Sequence, residues 1–478
     1  MSMSSNRHIP ALAALLALPL LAGCATTTLP LVPIPVPIPR IAFLGGDDLD
    51  FSRKDWAEAG GKLIEKMRQE YPHTERKGID WDTAGAALQE KLAAAEATED
   101  AVAYHAALRG FAESLHDGNV SLRGDEKQLE ASFRGGFGLE LAQLADGRVL
   151  VAAITEDGPA EKSRVSLGAE VLGWNGVPIA TALAAVPMLW AGNPPATTLA
   201  QHHARLAGIT RAAIDDKAML GLRDAEGKEY IANLTATEQP WAPLDAGGLL
   251  SGIDLETGSI LEFEVLDESV GYIDIVQLAP TLTAPFPSRA FRHALGSLVE
   301  SEANGIIVDL RGDSAGLDEF AAEFASHFMA DAVPYRSLAV YVKKSKTFEI
   351  EESTALEISP QPEQVSIPVV LLVDESTSRA PELLAATLQR NGRAKVMGPA
   401  STAGVPLVPE RTVTLPEGYT FSYPIARWLG PDGESPVEPD ATGAGGVTPD
   451  VPVVFTPENL ASDGDPVLDQ ARALFISK

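Results

Sequence analysis

Between Val373 and Thr387 the chain reads VDESTSRAPELLAAT. An apolar strand ends, a short Ser/Thr turn follows, and an apolar-faced helix begins. Hydrolases use such a turn to lift a nucleophile into a cleft. The tip here is Ser-Thr-Ser-Arg, ending at Arg379. A serine hydroxyl attacks a carbonyl only when a base within hydrogen-bond reach takes its proton. A guanidinium stays charged near neutral pH and cannot attack at all. Ser378 is therefore the candidate nucleophile, with Ser376 close by. Its competing use is to cap the helix beginning near Ala380, with Pro381 in the first turn.

Other reactive side chains are scattered. His202 and His203 are neighbours on a helix and face different ways, so they read as surface residues. His293 and His327 stand alone on amphipathic helices. No group has zinc-ligand spacing, and neither a metal nor a cofactor is expected. Trp174 and Trp190 read as packing residues, and the many carboxylates as solvated surface.

The chain has 478 residues, 45% of them hydrophobic, enough for two or three globular domains. Its net charge of −29 excludes a nucleic-acid partner, since phosphates would be repelled rather than neutralised. Residues 1–24 combine Arg7 and His8 with an apolar run, Ile9 to Leu21. That run is too short for a membrane span of about 20 residues and reads as a secretion signal. Leu21-Ala22-Gly23-Cys24 resembles the bacterial lipoprotein box, which implies lipid attachment at Cys24. Ala25 after the cysteine implies an outer-membrane lipoprotein facing the periplasm. Residues 25–45 are too proline-rich for helix and read as an extended tether.

The elements that must position the turn follow from periodicity. Residues 46–125 read as a helical module, with Ser52 as a cap for its first helix. Tyr104, Leu108, Phe111 and Leu115 form one helical face there. Residues 131–238 read as short strands with glycine turns. The Gly136-Phe137-Gly138-Leu139 loop, Gly158-Pro159-Ala160 and LGAEVLGWNGVPI resemble a PDZ domain. That resemblance implies a glycine loop whose N–H groups hold a terminal carboxylate while the next strand pairs with a peptide. From 249 to 478 strands and helices alternate: VGYIDIVQL, helix 288–303, GIIVDLRG, helix 317–330, IPVVLLVDE, helix 380–391 and AKVMG. This pattern predicts crossover connections and a mainly parallel sheet. The last 60 or so residues read as strands and loops closing over it.

In this order the motifs LHDGNVSL (115–122), GIIVDLRGDSAG (305–316), PVVLLVDESTSRAPELLAATLQRNGRAKVMGPASTAG (368–404) and LPEG…GGVTPD (415–450) resemble the tail-specific, C-terminal-processing serine peptidase family. The resemblance implies an α/β crotonase/ClpP-like core within a multidomain α+β chain that also carries the PDZ domain and the N-terminal helical module. It also locates the family's catalytic positions. The nucleophile, three residues before the glutamate Glu382, falls on Arg379. The lysine base of one branch falls on Gly404. The histidine of the other branch falls on Asn119, in Asp117-Gly118-Asn119. The oxyanion segment Asp309–Gly316 carries Asp313, Ser314 and Ala315 where the family has Asn-Gly-Gly before its last glycine, kept here as Gly316, so two glycines have gained side chains. For a displaced nucleophile, Ser378 with His116 is the remaining pairing. The sequence therefore reads as a non-catalytic, lipid-anchored relative that binds peptide or protein C-terminal tails. An active serine endopeptidase using Ser378, and a structural envelope scaffold, are the alternatives.

Overall fold

The computed structural model describes residues 48–124, 126–188, 193–239, 259–266, 269–281, 284–460 and 464–476. The expected signal, tether, Cys24 and Trp190 lie outside these residues. No described helix is long and apolar enough to cross a membrane.

A six-stranded sheet organises the C-terminal half. Its order is Leu261–Leu266, Val270–Ile275, Gly305–Asp309, Val369–Leu372, Ala394–Gly398 and Val451–Pro452. The first pair is antiparallel and every later pair is parallel. The strands Gly305–Asp309 and Val369–Leu372 are buried at every position. Unbroken apolar runs of this kind belong to parallel strands covered on both faces. Helices Pro287–Glu300, Asp318–Ser326 and Arg379–Arg390 cover one face. Phe291, Ala294, Leu295 and Leu298 form the buried stripe of the first. The other face is covered by helix Pro466–Ile476, through Val467 and Ala471. The proline- and glycine-rich composition nearby hid this helix, and the C-terminal segment is thus not only strands and loops.

The helical module comprises Trp56–Glu70, Trp81–Ala97 and Ala101–Ser114. Asp55, not Ser52, stands at the first N-cap, and the Ser52 N–H instead donates to Asp50 at 2.9 Å. Tyr104, Leu108, Phe111 and Leu115 are buried as the spacing predicts. They share their core with Val413, Leu415, Phe421 and Tyr423 from far along the chain. Strands Glu410–Thr414 and Thr420–Pro424 pair with Leu49–Asp50 and Ser121–Arg123 in one sheet. Buried Glu70 locks the junction, accepting from Arg411 and from the Tyr423 hydroxyl. The module is therefore completed by the C-terminal segment.

Between them lies an antiparallel sheet ordered Glu229–Thr235, Lys217–Arg223, Glu170–Trp174, Val149–Ile154 and Leu139–Gln143. Trp174 packs against Phe137 in its core, with ring centroids 5.6 Å apart. Helix Thr198–Ile209 lies against the edge strand Leu139–Gln143.

Candidate functional site

The strand Val369–Leu372 ends beside Gly305–Asp309, so the two following turns, 373–379 and 310–316, meet at the carboxyl ends of parallel strands. Clefts of α/β sheets form at such ends. Asp374 ties the turns together. One of its oxygens accepts from the N–H groups of Gly312 (3.1 Å), Ser376 (2.9 Å) and Thr377 (2.9 Å). The Thr377 hydroxyl donates to Leu310 O at 2.8 Å, and the Ser378 N–H to Asp313 O at 3.1 Å.

Arg379 opens the helix with φ +55°, a left-handed conformation uncommon outside glycine. Its N–H donates to Val405 O at 2.9 Å, and the residue is buried. The sharp turn thus carries a side chain that cannot attack. Ser378 is the N-cap by position, yet its hydroxyl makes no capping bond, contrary to the expected role. It lines a cavity of about 150 Å³ together with Gly118, His203, Ser314, Glu375 and Ser376.

The positions for a base are closed. Gly404 has φ +75°, and a Cβ there would lie 2.7 Å from Pro439 Cγ, so no lysine fits. Asn119 is buried and donates from its side chain to Pro406 O at 3.0 Å, a structural bond. His116 is absent from the cavity lining, and its carbonyl accepts from Lys77 Nζ at 3.0 Å. His203 is half exposed, as the surface reading expects, and it also enters the lining. Its Nδ1 meets Glu375 Oε1 at 2.6 Å. Burial lowers the His203 pKa, but the Glu375 hydrogen bond and charge outweigh it, and the net shift is upward. Burial likewise raises Glu375, and His203 outweighs that to leave it below its ordinary value. The pairing was invisible in the sequence because a strand-and-helix unit and a loop of the sheet supply its halves. His202 points elsewhere, with Nε2 buried and unpartnered. His293 packs edge-on to Phe263, and His327 is buried.

Two N–H groups of the oxyanion segment are taken by carboxylates, one from each turn. Asp313 Oδ1 accepts the Ala315 N–H at 2.9 Å, as Asp374 accepts that of Gly312. Burial pushes the Asp313 carboxyl well above its ordinary pKa. Positive φ falls on Gly312 and Gly316, not on Ser314 or Ala315, so the gained side chains carry no backbone strain. Glu382 is enclosed and accepts from the Thr402 hydroxyl and from the N–H groups of Gly404 (2.7 Å) and Val405 (2.9 Å). Burial raises its pKa to about 7 against these bonds.

The Gly136–Leu139 loop is buried throughout. The Phe137 N–H donates to Thr210 O at 3.1 Å, and the short strand Gly135–Gly136 pairs on both sides. A carboxylate cradle open at every N–H, as the resemblance implies, is not present at Phe137.

The sequence also offered no metal-ligand spacing, yet the fold gathers His73, Asp117 and Glu438 together, all buried. Their distance along the chain is why spacing could not find them.

Residues 269–453 match peptidase family S41, and that stretch is an S41-family domain. The chain is a relative of the carboxy-terminal processing proteases. It is 23% identical over 305 residues to the carboxy-terminal processing protease CtpB of Bacillus subtilis, covering 64% of this chain and 53% of that protein. With CtpA of the same organism it shares 27% over 171 residues, 36% of this chain and 33% of that one. The matched stretches thus span about half or less of these relatives' length. In fold it is similar to mature CPAF complexed with lactacystin, with a TM-score of 0.63 at 14% identity, over 88% of this chain and 97% of that one. A putative peptidase from Parabacteroides merdae aligns with a TM-score of 0.50 at 14% identity, over 89% and 96% of the two chains.

Proposed function

We propose that this protein is a non-catalytic S41 relative of the cell envelope that binds extended peptide or protein C-terminal tails. One observation carries the loss of catalysis. Arginine stands at the sharp turn that opens the 379–390 helix, and carboxylates occupy the neighbouring N–H groups of Gly312 and Ala315. An oxyanion needs such donors free and aimed at it.

Tail binding is supported by the edge strand Leu139–Gln143, which pairs on one side only among the described residues. A peptide can add to such an edge in the manner of a PDZ domain, next to helix Thr198–Ile209. That helix carries Ala200, His203 and Ala204 into the cavity wall, so a tail along the strand leads toward the cleft. Lipid attachment through Cys24 and an outer-membrane position facing the periplasm belong to the same reading.

The test is binding of a fluorescent peptide library to the full mature chain, each peptide as free acid and as amide. Tighter binding of the acids supports tail recognition, and equal affinity for both forms contradicts it. A second reading, an active serine endopeptidase, is favoured by the His203–Glu375 pair sharing a cavity with the uncapped Ser378 hydroxyl. It requires cleavage of an unstructured peptide that disappears in Ser378→Ala and in His203→Gln.

A further inference from the structure

His73, Asp117 and Glu438 come from three separate segments: the turn after the first helix, the loop after the third, and the loop 430–446. Each is at most 2% exposed. One donor atom from each lies within 4.8 Å of the other two. Neither ring nitrogen of His73 has a hydrogen-bond partner, and neither does Glu438 Oε2. His73 Nε2 and Glu438 Oε2 face each other at 3.6 Å, too far for a hydrogen bond. Buried polar atoms without partners are costly to a fold, which makes these donors candidates for a ligand.

The surroundings orient these donors. The Tyr71 hydroxyl donates to Asp117 Oδ2 at 2.5 Å, and the Asn119 N–H to Oδ1 at 2.9 Å. Lys77 Nζ lies 3.1 Å from Glu438 Oε1, which leaves Oε2 turned toward the histidine. The Arg76 guanidinium donates to the Glu438 carbonyl, fixing the backbone that carries the carboxylate. The Glu438 carboxylate thus lies between the Lys77 ammonium and an unpartnered imidazole.

We propose that this cluster is a structural site for a divalent transition-metal ion, with Zn²⁺ the best match. One imidazole nitrogen and two carboxylate oxygens are donors that zinc accepts, and outer hydrogen bonds to the carboxylates are typical of such sites. Calcium and magnesium, which prefer all-oxygen shells, fit less well. The ion would join the helical module to the C-terminal loop directly behind Gly118, which lines the cleft.

The test uses the full mature chain without an affinity tag that binds metal. Metal content is measured by plasma mass spectrometry. Zn²⁺ is then titrated into the EDTA-treated protein, followed by calorimetry and thermal denaturation. About one zinc per chain is expected, with a melting temperature lowered by EDTA and restored by Zn²⁺. Glu438→Gln, which keeps the side-chain shape, and His73→Ala should each weaken zinc binding at least about tenfold. If His73→Ala does not fold, Glu438→Gln decides alone. Absence of stoichiometric metal together with no thermal response to EDTA or Zn²⁺ overturns the proposal. So does Zn²⁺ binding of equal strength in Glu438→Gln.

Discussion

Two groups of buried carboxylates, one at the cleft turns and one around His73, are bonded differently. On the cleft side Asp374, Asp313 and Glu382 take backbone N–H groups of the turns and hold them in place. In the second group Glu438 leaves Oε2 without a partner next to an imidazole that also lacks one. The first arrangement keeps a shape and consumes the donors that catalysis would need. The second keeps donors in reserve. On the proposed non-catalytic reading, the turn keeps its shape without a reactive group because buried carboxylates hold its N–H groups.

The sharpest way to break this contrast is to remove a holding carboxylate. Glu382→Ala leaves two buried N–H groups and the Thr402 hydroxyl without an acceptor. It should destabilise the protein by about 3 kcal/mol or more, read from chemical denaturation. A change within about 0.5 kcal/mol would mean that the bonds are incidental. The same residue predicts a pH effect. Its folded pKa, about 7, lies above the ordinary 4.5, so its stability contribution is full below 4.5 and lost as pH rises through 7. Stability that rises across this interval would contradict the assignment unless other groups are shown to cause it.

A smaller effect concerns the link between the strand-and-helix unit and the cleft turn. His203 titrates above its ordinary 6.5 and Glu375 below its ordinary 4.5. The histidine's contribution is present below 6.5 and lost as pH rises through its raised pKa. The glutamate's is present above 4.5 and lost as pH falls through its lowered pKa. The melting-temperature difference between wild type and His203→Gln should therefore be greatest between these values and shrink on both sides. Half of the His203 side chain is exposed, so the difference should be modest. A difference that does not vary with pH would show that the pair adds nothing beyond packing.

Much of this architecture was legible in the sequence. The all-apolar strands Gly305–Asp309 and Val369–Leu372, alternating with helical periods, specify a parallel sheet without further information. The turn at Arg379 was equally plain, because local motifs carry its register. The sequence did not reveal what joins distant segments. The helical module borrows Val413 and Phe421, His203 crosses to Glu375, and His73 meets Glu438. Periodicity and spacing describe one segment at a time, whereas these contacts depend on how segments are placed. Ser378 shows a subtler limit. Its position is that of an N-cap, but the turn geometry leaves its hydroxyl out of the cap.

A non-catalytic cleft requires that its serines be unreactive. Exposing the full mature chain to a fluorophosphonate probe and mapping adducts by peptide mass spectrometry tests this directly. No adduct is predicted at Ser314, Ser376 or Ser378. A stoichiometric adduct at Ser378 that vanishes in His203→Gln would contradict the account and identify a working serine hydrolase.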